Sequence, residues 1–364
     1  MEPGQWSTTL WLLAAIAVIV GVMAARYARD ASRRRDTSRS APRPAEETAE
    51  VSDDDPGGTR PRAAVIVNPT KFDDLNAVRA TLTHECHRRG WADPLWLETT
   101  AEDPGTGQAR QALAQDVDLV CPLGGDGTVR AVAAALVGTR TPLGLLPGGT
   151  GNLLARNLGL PVDSLEQAMQ IALTGRQRRI DVGTVNVSVP GGTQDQPKDH
   201  IFLIVAGIGF DAEVMADAPE HLKAQVGWAA YVVSGLKNMN GRRFGVDVRV
   251  DGGELAHRRV RTLMVGNCGR LQGGLELLPD AEVDDGLLDA VILAPKGVVG
   301  WAAVTARIVT KTRRGHRRVE HRQCRSLDLF LDTGQELQLD GDPIGPAIVL
   351  RFAVIPTSLS VCVK

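Results

Sequence analysis

Cysteine is sparse in this 364-residue chain and is not arranged for a metal or a disulfide framework. Its five residues, Cys86, Cys121, Cys268, Cys324 and Cys362, are scattered, odd in number and form no CxxC pair. That argues against a zinc site and suits a reducing compartment. Aromatic residues make up only 4% of the chain, and no basic stretch is interleaved with them. With a formal net charge of −2, the chain lacks both the stacking platform and the basic excess of a nucleic-acid binder. It has no internal repeat. Neither the dinucleotide fingerprint GxGxxG nor the Walker pattern ending in GK[ST] occurs. What it does have is a 43% hydrophobic fraction, enough for a sizeable core, and a length that suits one to three domains.

The most informative positive feature is a pair of glycine turns, Leu123-Gly124-Gly125-Asp126-Gly127-Thr128 and Pro147-Gly148-Gly149-Thr150-Gly151-Asn152. Each falls where an apolar strand ends and a helix should begin. Backbone that passes close to a phosphate cannot carry side chains, and a helix N-terminus beyond the turn offers free N–H groups to an anion. Two such turns in adjacent β-α units suggest one nucleotide site built from both. Thr128 can cap the helix or bond a phosphate oxygen. Asp126 would repel phosphates unless a cation intervenes, which suggests a Mg²⁺-linked role; a helix-capping aspartate explains the same residue without a ligand. Asn68-Pro69-Thr70-Lys71-Phe72 follows another strand end, and Thr99 and Thr100 a further one, so four loops should share one rim. Lys71 is either a phosphate contact or a solvated lysine.

Thr8–Ala25 is uncharged and apolar, with Trp6 and Trp11 near its start and Arg26, Arg29, Arg33, Arg34 and Arg35 after it. About 18 helical residues nearly cross a bilayer core of about 30 Å, and the trailing positive charge predicts a cytoplasmic C-terminal side. A cleaved signal peptide would want its charge before the apolar run, where Glu2 stands. The expectation is therefore a single-pass membrane protein, with residues 1–25 as an N-terminal transmembrane helix, 26–61 as a disordered linker and the catalytic part cytoplasmic. From Arg62 to about 180, short apolar strands alternate with helices, which predicts an α/β nucleotide-binding domain with a parallel sheet covered on both faces. Its helices should cover about 73–89, 108–114, 128–137, 153–158 and 164–173. Ligands of such sheets lie beyond the carboxyl ends of the strands, where both glycine turns fall. Residues 181–364 should be mainly antiparallel β and sandwich-like, with strands such as His200–Ala206, Phe244–Val250, Arg259–Val265, Ser326–Leu331, Glu336–Leu339 and Ala347–Val354. Helical intervals are expected near 211–237 and 298–312, and the last strand can return to the first domain.

Three charged constellations remain. Glu282, Asp284, Asp285 and Asp289 crowd around Gly286 and would suit either an acidic hairpin turn or Mg²⁺. Asp340-Gly341-Asp342 closes a strand and offers a carboxylate that could accept a hydroxyl proton, or is another Asp-Gly turn. Arg307–Arg325 carries eight basic residues of the lysine and arginine type against Glu320, either as a solvated face or as an attraction to anionic lipid.

Together these residues resemble the catalytic domains of the diacylglycerol kinase and sphingosine kinase family, especially the bacterial soluble-type diacylglycerol kinases. The resemblance spans about 62–364 and is carried by Val67-Asn68-Pro69, Gly124–Thr128, Pro147–Asn152, Asp181-Val182-Gly183, Ala206–Asp211, Ala281–Asp289 and Asp340–Asp342. It implies ATP and Mg²⁺ as cofactors, with ATP held by Asn68, Pro69, Thr70, Lys71, Phe72, Thr99 or Thr100, Gly124, Gly125, Asp126, Gly127, Thr128 and on to Ala131, and by Gly148, Gly149 and Thr150. It implies a structural Mg²⁺ held by Glu282, Asp285 and the carbonyl of Leu287, and a proton acceptor at Asp342, with Asp340 as the other candidate. Lys71 and Phe72, Glu282 and Asp342 depart from the family's usual glycine or serine, aspartate and glutamate. The activity implied is transfer of the ATP γ-phosphate to a lipid hydroxyl, with diacylglycerol as the default acceptor. The partners implied are a membrane lipid and the anionic inner leaflet, through Arg26–Arg35 and Arg307–Arg325, with no nucleic acid and with a homodimer left open. A kinase of a long-chain base or of NAD, and an inactive lipid-binding protein, are the rival readings.

Overall fold

The computed structural model describes residues 60–189, 198–209, 243–270, 278–294 and 319–364. The apolar run after Arg62 forms β1 (Ala63–Val67), buried throughout. It pairs in parallel with β2 (Leu95–Glu98) on one side and β3 (Leu119–Gly124) on the other, and β4 (Leu146–Pro147) joins β3. The order is β2-β1-β3-β4. The helices are α1 (Leu75–His87), α2 (Thr106–Leu113), α3 (Asp126–Leu136), α4 (Leu153–Asn157) and α5 (Leu165–Thr174). Successive strand residues point to opposite faces. Ala63, Val65 and Val67 accordingly share a cluster with Leu82 and Cys86 of α1 and Met169 of α5. Ala64 and Ile66 pack with Ala109 of α2 and Val132, Ala133 and Leu136 of α3. Both faces are covered, as a continuously apolar strand requires.

The remaining strands are antiparallel: β5 (Arg176–Ser188), β6 (Lys198–Phe202), β7 (Val205–Ile208), β8 (Phe244–Val250), β9 (Ala256–Val260), β10 (Thr262–Gly266), β11 (Leu288–Leu293), β12 (Val319–Cys324), β13 (Ser326–Leu339) and β14 (Asp342–Val363). Their order is β12-β11-β10-β7-β13-β14-β5-β6, with β8 and β9 branching from β13. Several boundaries differ from expectation. The strand expected over His200–Ala206 breaks at Leu203 and Ile204, because their N–H groups are drawn to the Asp340 carboxylate instead of a ladder. The two strands expected over 326–339 are one, with an irregularity between Phe330 and Gln335. β14 is far longer than Ala347–Val354. Its far end returns to the parallel sheet: Leu143 N–H donates to Ser360 O at 2.8 Å, and Cys362 N–H donates to Leu143 O at 2.9 Å. Residues Thr59–Lys364 form one compact unit.

The expected single-pass membrane placement is corrected: among the described residues, no helix is long and apolar enough to cross a membrane. The run Thr8–Ala25 that carried the expectation lies outside the described residues. So do nearly all of the expected linker, the helices expected at 211–237 and 298–312, Phe210 and Asp211, and residues 307–318 of the basic stretch.

Candidate active site

β3 and β4 run side by side with Leu123 opposite Leu146 and Gly124 opposite Pro147, so the two glycine turns leave the same sheet edge together. Gly148 N–H donates to Gly124 O at 3.0 Å. A Cβ on Gly149 would stand 2.7 Å from Gly125 Cα, and one on Gly148 2.9 Å from Gly124 N and 2.8 Å from the Phe72 ring. These glycines are therefore required by main-chain contact. Gly125 is different: nothing lies within 4 Å of where its Cβ would be. It is the N-cap of α3 and makes no side-chain capping hydrogen bond. The first N–H groups of α3 consequently lack a side-chain acceptor, and such a turn is suited to an anion. Thr128 is buried and folds onto Gly124, where a Cβ would stand 2.7 Å from its Oγ1.

The other expected loops end beside these turns. Asn68 N–H donates to Leu123 O at 3.0 Å. Asn68 Oδ1 accepts from Thr70 N–H at 3.1 Å and from Thr70 Oγ1 at 2.8 Å, closing a single 3₁₀ turn over Pro69–Lys71. Lys71 is exposed, and Phe72 is half-buried against Gly148. Thr99 is buried with its N–H on Val67 O, whereas Thr100 is exposed and accepts from Asp103 N–H. Thr150 is exposed at the tip of the second turn. Asn152 is buried in the left-handed region, at φ 47°, and its amide donates to Gly149 O at 2.6 Å, so it closes that turn from within.

Asp126 joins the two turns. Its Oδ1 accepts the Leu153 N–H at 2.6 Å, which caps α4, and its Oδ2 lies where a Cβ on Gly151 would be. Burial pushes its carboxyl up to about 6; the charges of Asp340 and Asp342 add to the rise, and the N–H groups of Leu153 and Asn152 oppose it.

The Asp340-Gly341-Asp342 turn comes from the distant β13–β14 hairpin, and its two aspartates do different things. Asp340 is buried at φ 52°. It accepts the N–H groups of Leu203 at 3.0 Å, Ile204 at 2.8 Å and Val205 at 3.0 Å. Both its oxygens are spent on main chain, which does not suit the proton-acceptor role that was one of two expectations for it. Burial raises its carboxyl above the ordinary range, against Arg130 and the three N–H groups. Asp342 is half-exposed and lies on α3: its Oδ2 would be 2.7 Å from a Cβ on Gly127 and accepts from Arg130 Nη2 at 2.9 Å. Arg130 Nη1 also donates to Leu339 O. The resemblance includes Arg130 in the ATP stretch Gly125–Ala131, but its pairing with Asp342 was not foreseen in the sequence. The available signal was its place one turn after Asp126 and Gly127 on the same helix, where i, i+3 and i+4 residues share a face.

The acidic loop is organised around a residue the sequence left without a role. Asp181 is fully buried and accepts from Gly286 N–H and Thr357 N–H, both at 2.6 Å. Asp284 is taken by Arg178, at 2.8 Å to each of its oxygens. Glu282 and Asp285 are exposed, and Asp285 accepts the Leu287 N–H at 2.9 Å. Asp289 is buried and pushed up to about 6 by that burial. Among the described residues no group of three or more His, Cys, Asp or Glu side chains is gathered as a metal site.

Comparison with known proteins gives consistent relatives for both halves. Residues 62–185 match the family described as the diacylglycerol kinase catalytic domain. Residues 204–363 match the YegS C-terminal NAD kinase beta sandwich-like domain. The protein named "Probable lipid kinase YegS-like" of Pseudomonas aeruginosa (strain UCBPP-PA14) is 35% identical over 285 residues, covering 73% of this chain and 84% of the relative. The "Diacylglycerol kinase" of Bacillus subtilis (strain 168) is 27% identical over 285 residues, covering 77% of this chain and 89% of the relative. The crystal structure of a diacylglycerol kinase from Bacillus anthracis str. Sterne shares the fold, with a TM-score of 0.66 at 23% identity over 83% of this chain and 97% of that one.

Proposed function

The chain belongs to the lipid kinase family of diacylglycerol kinases and YegS-like proteins, and on that premise we propose that it transfers the γ-phosphate of ATP to the hydroxyl of diacylglycerol, giving phosphatidic acid. One observation carries the reading: the Asp342 carboxylate, from the far end of the chain, rests on Gly127 at the start of the helix that the first glycine turn opens. A proton acceptor and an anion cradle thus share one helix terminus.

The polyphosphate lies against the main chain of Gly124, Gly125, Gly148 and Gly149 and the first turn of α3, with Asn68–Phe72, Thr99, Thr100 and Thr150 flanking the nucleotide. Mg²⁺, when bound, supplies charge neutralisation on the phosphates. Asp126 fits its vicinity, because a buried carboxylate beside two others gains from a nearby cation. Asp342 Oδ2 is held by Arg130, and Oδ1 has no hydrogen-bond donor among the described residues. The acceptor hydroxyl gives its proton to that oxygen as its own oxygen attacks the γ-phosphorus; the bond to the β–γ bridging oxygen breaks and ADP leaves. Asp340, by contrast, holds main chain. From the family resemblance, Glu282, Asp285 and the Leu287 carbonyl are read as holding a structural Mg²⁺, and both side chains are exposed; a Mg²⁺-dependent rise in melting temperature that Asp285→Asn abolishes would bear this out, and its absence would refute it. The basic stretch Arg307–Arg325 favours an anionic lipid surface as the source of the acceptor.

The test is phosphate transfer from radiolabelled Mg²⁺-ATP with diacylglycerol, a long-chain base and other hydroxylated lipids in mixed micelles, and with NAD in solution. Labelled phosphatidic acid is expected. Labelled long-chain base or NADP moves the acceptor class, and no labelled product from any acceptor refutes the reading.

A further inference from the structure

We propose that Arg130 is a positioning residue for Asp342: it holds one carboxylate oxygen so that the other is presented to the acceptor hydroxyl. The proposal rests on the phosphoryl-transfer reading above. Asp342 opens β14 directly after Asp340 and Gly341, both at positive φ of 52° and 94°. Its side chain is 50% exposed, whereas that of Arg130 is 16% exposed. A half-exposed aspartate on a turn would otherwise spread over several rotamers. Arg130 removes that freedom. One arm of its guanidinium holds Leu339 O, just before the turn, and the other holds Asp342 Oδ2, just after it. The planar fork fixes both sides of the turn at once, which a lysine ammonium on its flexible stem does not do. Arg130 also rides on α3, the helix whose first turn faces the phosphate site. Proton acceptor and anion donors are thereby referred to one rigid element, and displacement by about 1 Å is enough to cost a general base about 100-fold.

An arginine here could instead act on the phosphates themselves, and the two roles separate experimentally. The full chain is compared as wild type, Arg130→Ala, Arg130→Gln, Arg130→Lys, Asp342→Asn and Arg130→Ala with Asp342→Asn. Rates are measured with the acceptor found above and ATP affinity by equilibrium binding. Arg130→Gln keeps a donor for Leu339 O and so separates loss of the ion pair from loss of the main-chain tie if the alanine variant folds poorly. The positioning role predicts that Arg130→Ala and Arg130→Gln lower kcat about 100-fold with ATP affinity unchanged. Arg130→Lys recovers little, and added guanidinium ion restores part of kcat to Arg130→Ala. In the Asp342→Asn background, removing Arg130 costs nothing further and guanidinium restores nothing. Unchanged kcat in Arg130→Ala, a loss confined to ATP affinity, or an equal loss in both backgrounds overturns the proposal. A wild-type protein inactive toward every acceptor overturns the kinase reading and the role of Arg130 with it; an active wild type with an unaffected Arg130→Ala overturns only the latter.

Discussion

Asp126 is a costly residue to place where it stands. Its carboxyl has an ordinary value of 3.8 and is pushed to about 6 by burial and by the neighbouring Asp340 and Asp342. The fold thus prefers the neutral acid. That contribution is fully present below about pH 4 and is lost as pH rises through about 6, so at neutral pH the ionised form weakens the protein by on the order of 2–3 kcal/mol. Asp126→Asn keeps an oxygen for the Leu153 N–H and removes the charge. It should therefore melt at a higher temperature than wild type at pH 8, with the difference closing towards pH 4, while kinase activity is lost. Equal melting temperatures at both pH values would contradict the account. That the two glycine turns leave one sheet edge was legible in the sequence, because a glycine turn between an apolar strand and a helix has a local spelling. The pairing of Arg130 with Asp342 was not, since it depends on a carboxylate that arrives from 212 residues away.

The strand break between β6 and β7 follows from one distant side chain. Asp340 takes the N–H groups of Leu203, Ile204 and Val205, and its own N–H donates to Val205 O at 2.8 Å, which separates β6 from β7 and pins the hairpin to them. Replacing it by alanine leaves three N–H groups without their acceptor, and Asp340→Ala should lose about 3–5 kcal/mol of stability in urea unfolding at pH 7. A loss below about 1 kcal/mol, the scale of an ordinary surface change, would show that the carboxylate is not the anchor. Nothing local announces this break: His200–Ala206 reads as one uninterrupted strand because the group that interrupts it lies more than a hundred residues away. The parallel strands, in contrast, were legible because runs such as Ala63–Val67 are apolar on both faces, and Phe244–Val250 was bounded correctly because its alternation is local.

The long final strand links the chemistry to the closure of the fold. β14 begins at Asp342, against the glycine turns, and ends at Val363, paired with Arg176 and running beside Leu143 at the edge of the parallel sheet. It is longer than the expected Ala347–Val354 although Pro343, Pro346 and Pro356 lie within it, and proline is ordinarily confined to edge strands and bulges. The structure accommodates Pro343 beside the register shift at Leu337/Gln338 and Pro356 within the one between Ile355 and Leu359, where Thr357 takes a φ of 46°. On the proposed reading, the first residue of this strand completes a phosphoryl-transfer site begun by the glycine turns. The most direct measurement is the rate of γ-phosphate transfer by Asp342→Asn, taken together with its ATP affinity. A fall in rate of about 10²–10⁴-fold is expected, with ATP bound at least as tightly as in wild type; transfer at the wild-type rate, or loss of ATP binding, would overturn that reading.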